Sequence, residues 1–116
     1  MSTKPPPGPS RLDLHRSATT FAALGDETRL KLLTKLSRRS PQSIKELSMD
    51  LPVTRQAVTK HLRILESANF VFQETHGRER RFAAVPDGMD EAHTALNFIA
   101  QQWDDALQRL KSFAEQ

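Results

Sequence analysis

The stretch Thr54-Arg55-Gln56-Ala57-Val58-Thr59-Lys60-His61-Leu62-Arg63-Ile64-Leu65-Glu66 decides how this sequence is read. At about 100° per residue, Leu62 and Leu65 fall within about 40° of Val58. Gln56, Thr59, Lys60 and Arg63 fall on the far side, between roughly 100° and 200°. One face is therefore aliphatic, and the other carries hydrogen-bonding groups with two cations. Thr54 is placed to cap the helix start, and Asn69 to end it near Ala68 in a left-handed conformation. Such a polar face suits a DNA major groove, where base edges offer donors and acceptors and phosphates attract charge.

The flanking sequence supplies a frame for this helix. Upstream, Ser43 followed by Glu46 forms a capping-box pattern. It opens a helix whose buried edge is Ile44, Leu47 and Leu51 and which Pro52 closes. Before it, Asp26 caps a helix with an apolar stripe of Leu30, Leu33 and Leu36, ringed by Arg29, Lys31, Lys35, Arg38 and Arg39. A first helix begins near Asp13, carries Leu14, Ala18, Phe21 and Ala22 at helical spacing, and ends at Gly25. Downstream, Phe70 to Thr75 and Arg80 to Val85 are extended runs about a turn at His76-Gly77-Arg78-Glu79, which reads as a hairpin. After Pro86-Asp87-Gly88, a long helix runs from about Met89 to the C-terminus. The expected fold is mainly α with a small β-hairpin: a winged helix-turn-helix with a long C-terminal dimerisation helix.

Within that frame, Arg55 and Gln56 near the helix start are candidates for base edges, Arg for guanine and Gln for adenine. Thr59, Lys60 and Arg63 divide between base and phosphate contacts, and Thr54 with the helix-terminal amides suits a phosphate. In the hairpin, Arg78, Arg80 and Arg81 are candidates for the backbone or the minor groove, within a wing spanning residues 73–82. Side chains alternate along a strand, so at most one of Arg80 and Arg81 shares the face of Arg78. His61 sits on the margin of the apolar face, where a packed and hydrogen-bonded histidine is the expected role. Phe82 is expected in the core.

Composition narrows the function classes. The chain has 116 residues and no cysteine, which leaves no disulfide framework, thiolate zinc site or cysteine nucleophile. No apolar run approaches the roughly 18 residues of a membrane span, and the N-terminus lacks a signal-peptide layout. A cytoplasmic protein with no membrane partner is expected. The net charge of +3 is unevenly spread: from Arg29 to Arg81 there are 12 Lys/Arg against 5 Asp/Glu, whereas residues 82–116 carry 2 against 6. A basic middle block points to a polyanion, and double-stranded DNA is the expected partner. Residues 1–12 read as a disordered Pro-rich tail, and 13–116 as one DNA-binding domain with terminal dimerisation helices. There is no Gly-rich phosphate loop and no nucleophile–base pairing, so no enzyme and no cofactor are expected.

The sequence resembles the ArsR family of winged-helix bacterial regulators. The resemblance is carried by Phe21-Ala22-Ala23-Leu24-Gly25-Asp26-Glu27-Thr28-Arg29-Leu30, Ile44-Lys45-Glu46-Leu47, the stretch from Ala57 to Glu66, and Gly77 to Phe82. It extends from about Leu14 to Leu110. It implies a homodimeric repressor on an inverted-repeat operator, paired through its first and last helices, with Leu14, Ala18 and Phe21 contributed by the first. Independently, Leu96, Ala100, Trp103, Leu107, Leu110 and Ala114 follow a 4-3-4-3-4 spacing, a coiled-coil-like seam in which Trp103 is the anchor. The competing explanation is that this stripe packs on its own domain.

Many members of the family sense metals or thiol reagents through cysteines, a mode closed to this chain. Another mode places Asp and His ligands on the last helix. Asp90 and His93 share a face there, but the second histidine pair of such sites is missing, so no metal site is expected. The Trp103/Leu107/Leu110 ending is similar to the SdpR-like subgroup. Two alternatives stand beside the repressor: a zinc-responsive repressor with its site on the last helix, and a winged-helix protein–protein interaction module. An unidentified small-molecule or protein effector is left open.

Overall fold

The computed structural model describes residues 13–115. The tail read from the sequence as disordered lies outside them. Five helices and a three-stranded antiparallel sheet follow in the order α1 (Leu14–Leu24), α2 (Glu27–Arg38), β1 (Gln42–Ser43), α3 (Ile44–Ser48), α4 (Arg55–Ser67), β2 (Val71–His76), β3 (Glu79–Ala84) and α5 (Asp90–Ala114).

The expected caps hold the helix starts. Asp26 accepts from the Arg29 amide at 3.0 Å. Ser43 and Glu46 close the reciprocal box, each accepting from the other's amide at 3.1 Å. The Arg29 amide first, and then the Arg29 charge, hold the Asp26 carboxyl below its ordinary range against the opposing effect of burial. The Ser43 amide does the same for Glu46, helped by Arg39 and Arg81. A carboxyl with a lowered folded-state pKa stabilises the fold fully above its unfolded value, near 4, and less as pH falls through the lowered value. Thermal unfolding followed from pH 6 to pH 3 should therefore show a midpoint that drops below pH 4. Asp26→Asn, which keeps a capping oxygen but cannot titrate, should drop less. Identical pH profiles for the two chains would refute that role of Asp26.

The core gathers Leu32 and Leu36 of α2, Leu47 of α3, and Val58, Leu62 and Leu65 of α4, with Phe70, Val71 and Phe82 from the sheet side. This corrects the stripe expected on α2. Leu32 is fully buried, whereas Leu30, about 160° from it around the helix, is 48% exposed beside Met49 and Leu51. The third helix is also shorter than expected. It ends at Ser48, four residues before Pro52, where Met49 turns to an extended backbone (ψ 135°) and Asp50 follows with a left-handed φ of 65°. Lys35 closes that end by donating through Nζ to the carbonyls of Leu47 and Met49.

The strand β1 went unread in the sequence. Its Gln42 and Ser43 pair with Phe82 and Arg81 of β3, giving the sheet order β1-β3-β2. Gln42 is buried, and its amide donates to the carbonyls of Lys35 (2.9 Å) and Arg39 (2.6 Å) at the end of α2. Those bonds offset the cost of burying a polar side chain there. The hairpin turn is tighter than expected, with only Gly77 and Arg78 between the strands, and Gly77 adopts φ 64°. A left-handed residue at that position favours glycine.

Candidate nucleic-acid interface

The short turn after α3 aims the N-terminus of α4 outward. Thr54 Oγ1 accepts from the Ala57 amide at 3.0 Å, which leaves the hydroxyl proton available to donate away from the helix. Arg55, Gln56, Lys60 and Arg63 are exposed. Thr59 is half-buried and its hydroxyl donates to the Arg55 carbonyl at 2.9 Å, so toward an incoming group its oxygen acts as an acceptor. Thr54, Gln56, Ala57, Thr59, Lys60 and Arg63 line one open hollow of about 440 Å³, with two cations and no acid on its walls. Val58, Leu62 and Leu65 face the other way, fully buried. The structure thus brings Thr54, Gln56, Thr59, Lys60 and Arg63 together, while Arg55 is exposed but stands outside the hollow.

The wing divides its arginines between two faces. Gln73 pairs with Phe82 and Thr75 with Arg80 in the β2–β3 register, so these four share a face. Gln73 donates to the Glu66 carboxylate of α4 at 3.1 Å, which places that face against the helix. Arg80 therefore extends from the side of the sheet nearest α4, and Arg78 stands exposed at the tip. Arg81 lies on the opposite face, where Nε donates to Glu79 at 2.7 Å. Beside it, Glu74 and His76 pair at 3.0 Å. This face largely neutralises itself, and the alternation expected for Arg80 and Arg81 is what the register shows.

Other members of the basic block also serve the fold. Arg29 is not a solvated surface cation: it is half-buried and donates to the carbonyls of Ala22 and Ala23 at the end of α1. Its Nη1 meets His61 Nδ1 at 3.1 Å. A guanidinium can only donate, so Nδ1 accepts and His61 carries its proton on Nε2. Arg39 pairs with Glu46 at 2.6 Å. Arg29, Lys35 and Arg39 thus hold elements together and Arg81 is engaged within its own strand, while the exposed cations of α4 and the wing tip carry no such partner among the described residues. The sequence reading missed this division, because charge counts do not register partners.

The helix α5 packs against α1, where Arg16 pairs with Glu91 at 2.7 Å; the small residues Ala92 and Ala95 are the buried ones of α5, and Ser17, Thr20 and Ala23 those of α1. The apolar stripes of both helices point elsewhere. On α5, Leu96, Trp103, Leu107 and Leu110 are exposed, Trp103 by 67%, and Ile99 and Phe113 widen the patch. On α1, Leu14 and Ala18 are exposed and Phe21 is half-buried. Within the protomer, then, the stripe on α5 does not pack on its own domain. At the start of α5, Asp90 and His93 are exposed, and no group of three or more metal-ligating side chains occurs among the described residues.

A turn-linked helix pair with a hairpin beside its second helix defines a winged helix-turn-helix DNA-binding regulator. Residues 26–72 match the family model for bacterial regulatory proteins of the arsR family. The uncharacterized HTH-type transcriptional regulator YuzN of Bacillus subtilis (strain 168) is 42% identical over 66 residues, spanning 52% of this chain and 72% of that protein. The HTH-type transcriptional repressor SmtB of Mycobacterium tuberculosis is 30% identical over 102 residues, spanning 88% of this chain and 73% of that one. Among solved structures, an ArsR-like transcriptional regulator from Rhodococcus sp. RHA1 superposes with a TM-score of 0.74 at 39% identity. It covers 86% of this chain and 93% of its own. The chain belongs to the ArsR family; it is a DNA-binding transcriptional regulator and not an enzyme.

Proposed function

We propose that the chain is a homodimeric repressor that reads an inverted-repeat operator, with α4 in the major groove and the wing on the adjoining backbone or minor groove. The observation that carries this reading is the acid-free hollow of Thr54, Gln56, Thr59, Lys60 and Arg63 on the outer face of α4. Arg55 and Gln56 reach base edges, Lys60 and Arg63 reach phosphates or bases, and Thr54 donates to a phosphate at the helix start. From the wing, Arg78 and Arg80 approach the duplex, while Arg81 is engaged by Glu79 on the opposite face of its strand. Residues 13–116 act as one DNA-binding domain, working in the cytoplasm where the chromosome lies.

Dimerisation joins the exposed stripes of α1 (Leu14, Ala18, Phe21) and α5 (Leu96, Ala100, Trp103, Leu107, Leu110). A two-fold axis between them sets two copies of α4 about one helical turn apart, matching half-sites 10–10.5 bp apart or a multiple of that. Occupying an operator in this way blocks transcription. The test is selection of duplexes from a random-sequence pool by the purified chain. The expected product is an inverted repeat with half-site centres at that spacing. Recovery of unrelated sequences with no shared half-site would overturn the reading.

A further inference from the structure

We infer that Arg29 and His61 form a positioning unit that fixes the recognition helix against α1, and so sets which half-site spacing a dimer accepts. The inference rests on the reading of α4 as the recognition helix and of α1 as part of the dimer contact. It goes beyond that reading by naming the device that sets the geometry, made of residues that do not touch DNA.

The geometry is specific. Arg29 lies in the first turn of α2, and its guanidinium reaches three ways. Nε donates to Ala23 O at 2.7 Å and Nη2 to Ala22 O at 3.1 Å, two carbonyls of the last turn of α1. Nη1 donates to His61 Nδ1 at 3.1 Å. Helix-terminal carbonyls lack partners within their own helix, so a cation there is favoured by both hydrogen bonding and the helix dipole. Asp26 completes the group. It accepts the Arg29 amide at 3.0 Å and lies 3.7 Å from His61 Nδ1. One planar fork therefore ties the end of α1, the start of α2 and the middle of α4 together.

The attachment point on α4 matters because His61 follows Lys60 directly and precedes the buried Leu62. The contacts of Val58, Leu62 and Leu65 with the core are apolar, and such packing is non-directional. Among the described residues, side-chain hydrogen bonds link α4 to other elements at two places, His61 to Arg29 and Glu66 to Gln73. The second reaches only the wing. The first runs to α1, which carries Leu14, Ala18 and Phe21 on its outer side. Across a two-fold axis, any rotation or slide of α4 relative to α1 is doubled between the two recognition helices.

The test uses duplexes that the wild-type chain selects from a random pool, remade with one base pair inserted or deleted between the half-sites. Each such change rotates one half-site by about 35° relative to the other. Wild type should prefer the selected spacing by roughly tenfold or more, a factor in the range of a mismatched base pair. Arg29→Lys keeps the charge but cannot serve three diverging acceptors, and His61→Leu removes the acceptor. Both should hold a single half-site within about twofold of wild type, while their spacing preference falls below about threefold. His61→Gln, whose amide oxygen still accepts, should retain the preference. Should Arg29→Lys prove unfolded by circular dichroism, the contrast of His61→Leu with His61→Gln decides. Full spacing preference in His61→Leu, or its equal loss in both histidine variants, would overturn the inference while leaving the recognition helix intact. A wild-type chain with no inverted-repeat preference would instead overturn the reading beneath it.

Discussion

Trp103→Glu is expected to leave a folded monomer that binds the selected duplex far more weakly than wild type does. Trp103 is the sole tryptophan of the chain, and it stands 67% exposed in the middle of α5. Leu96, Ile99, Leu107 and Leu110 surround it on the same exposed side, along a helix of 25 residues, about 37 Å long. The N-terminal half holds the buried residues of the helix, Ala92 and Ala95, and the Glu91 that pairs with Arg16 of α1. The remainder presents a contiguous apolar stripe to solvent, the kind of surface that marks an interaction site.

A buried aromatic at the centre of an interface is commonly worth 2 kcal/mol or more, and a carboxylate there adds the cost of desolvating a charge. Dimer affinity should fall by roughly 30-fold at least. DNA binding should fall further, because the second half-site no longer benefits from the high effective concentration of a tethered subunit. Sedimentation velocity with matching circular dichroism checks both parts. A Trp103→Glu chain that remains dimeric would show that the stripe is not the interface. A chain that loses its helicity would show that Trp103 supports the fold.

The parts of the fold legible in the sequence were those set by local rules. The caps at Asp26, Ser43 and Thr54, the left-handed Asn69, and the division of α4 into aliphatic and polar faces each depend on residues within a few positions of one another. What escaped depended on distant partners. The strand β1 is two residues long, too short for any period, and exists because Phe82 and Arg81 come back to pair with it. Leu30 and Leu32 are equally apolar, and only the placement of α3 and α4 decides that Leu32 is the one enclosed.

The candidate interface followed the same division. Gln56, Lys60 and Arg63 were legible because a helical wheel fixes their common face. The separation of Arg80 from Arg81 was legible from strand alternation, but the engagement of Arg81 by Glu79 was not. Arg29 stood among the surface cations of its helix until the structure placed the end of α1 beneath it. Its one available signal was its position three residues after an N-cap, directly beyond a helix end at Gly25. The basic middle block thus divides: Arg29, Lys35 and Arg39 hold elements together, Arg81 pairs within its strand, Lys31, Arg38 and Lys45 are exposed on α2 and α3, and the rest face outward from α4 and the wing.

The outward population carries the central claim, that the polar face of α4 reads DNA. The most direct test compares wild type, Gln56→Ala and Lys60→Ala on the selected duplex and on its single-base-pair variants, across a salt series. Lys60, as a phosphate contact, should weaken every duplex by a similar factor when removed. It should also lower the slope of log affinity against log salt by about 0.9. Gln56, as a base contact, should leave the slope nearly unchanged and erase a preference of about 1–3 kcal/mol, roughly 5- to 150-fold, at one position of each half-site. If both variants keep the wild-type affinity, slope and sequence preference, α4 is not the recognition helix.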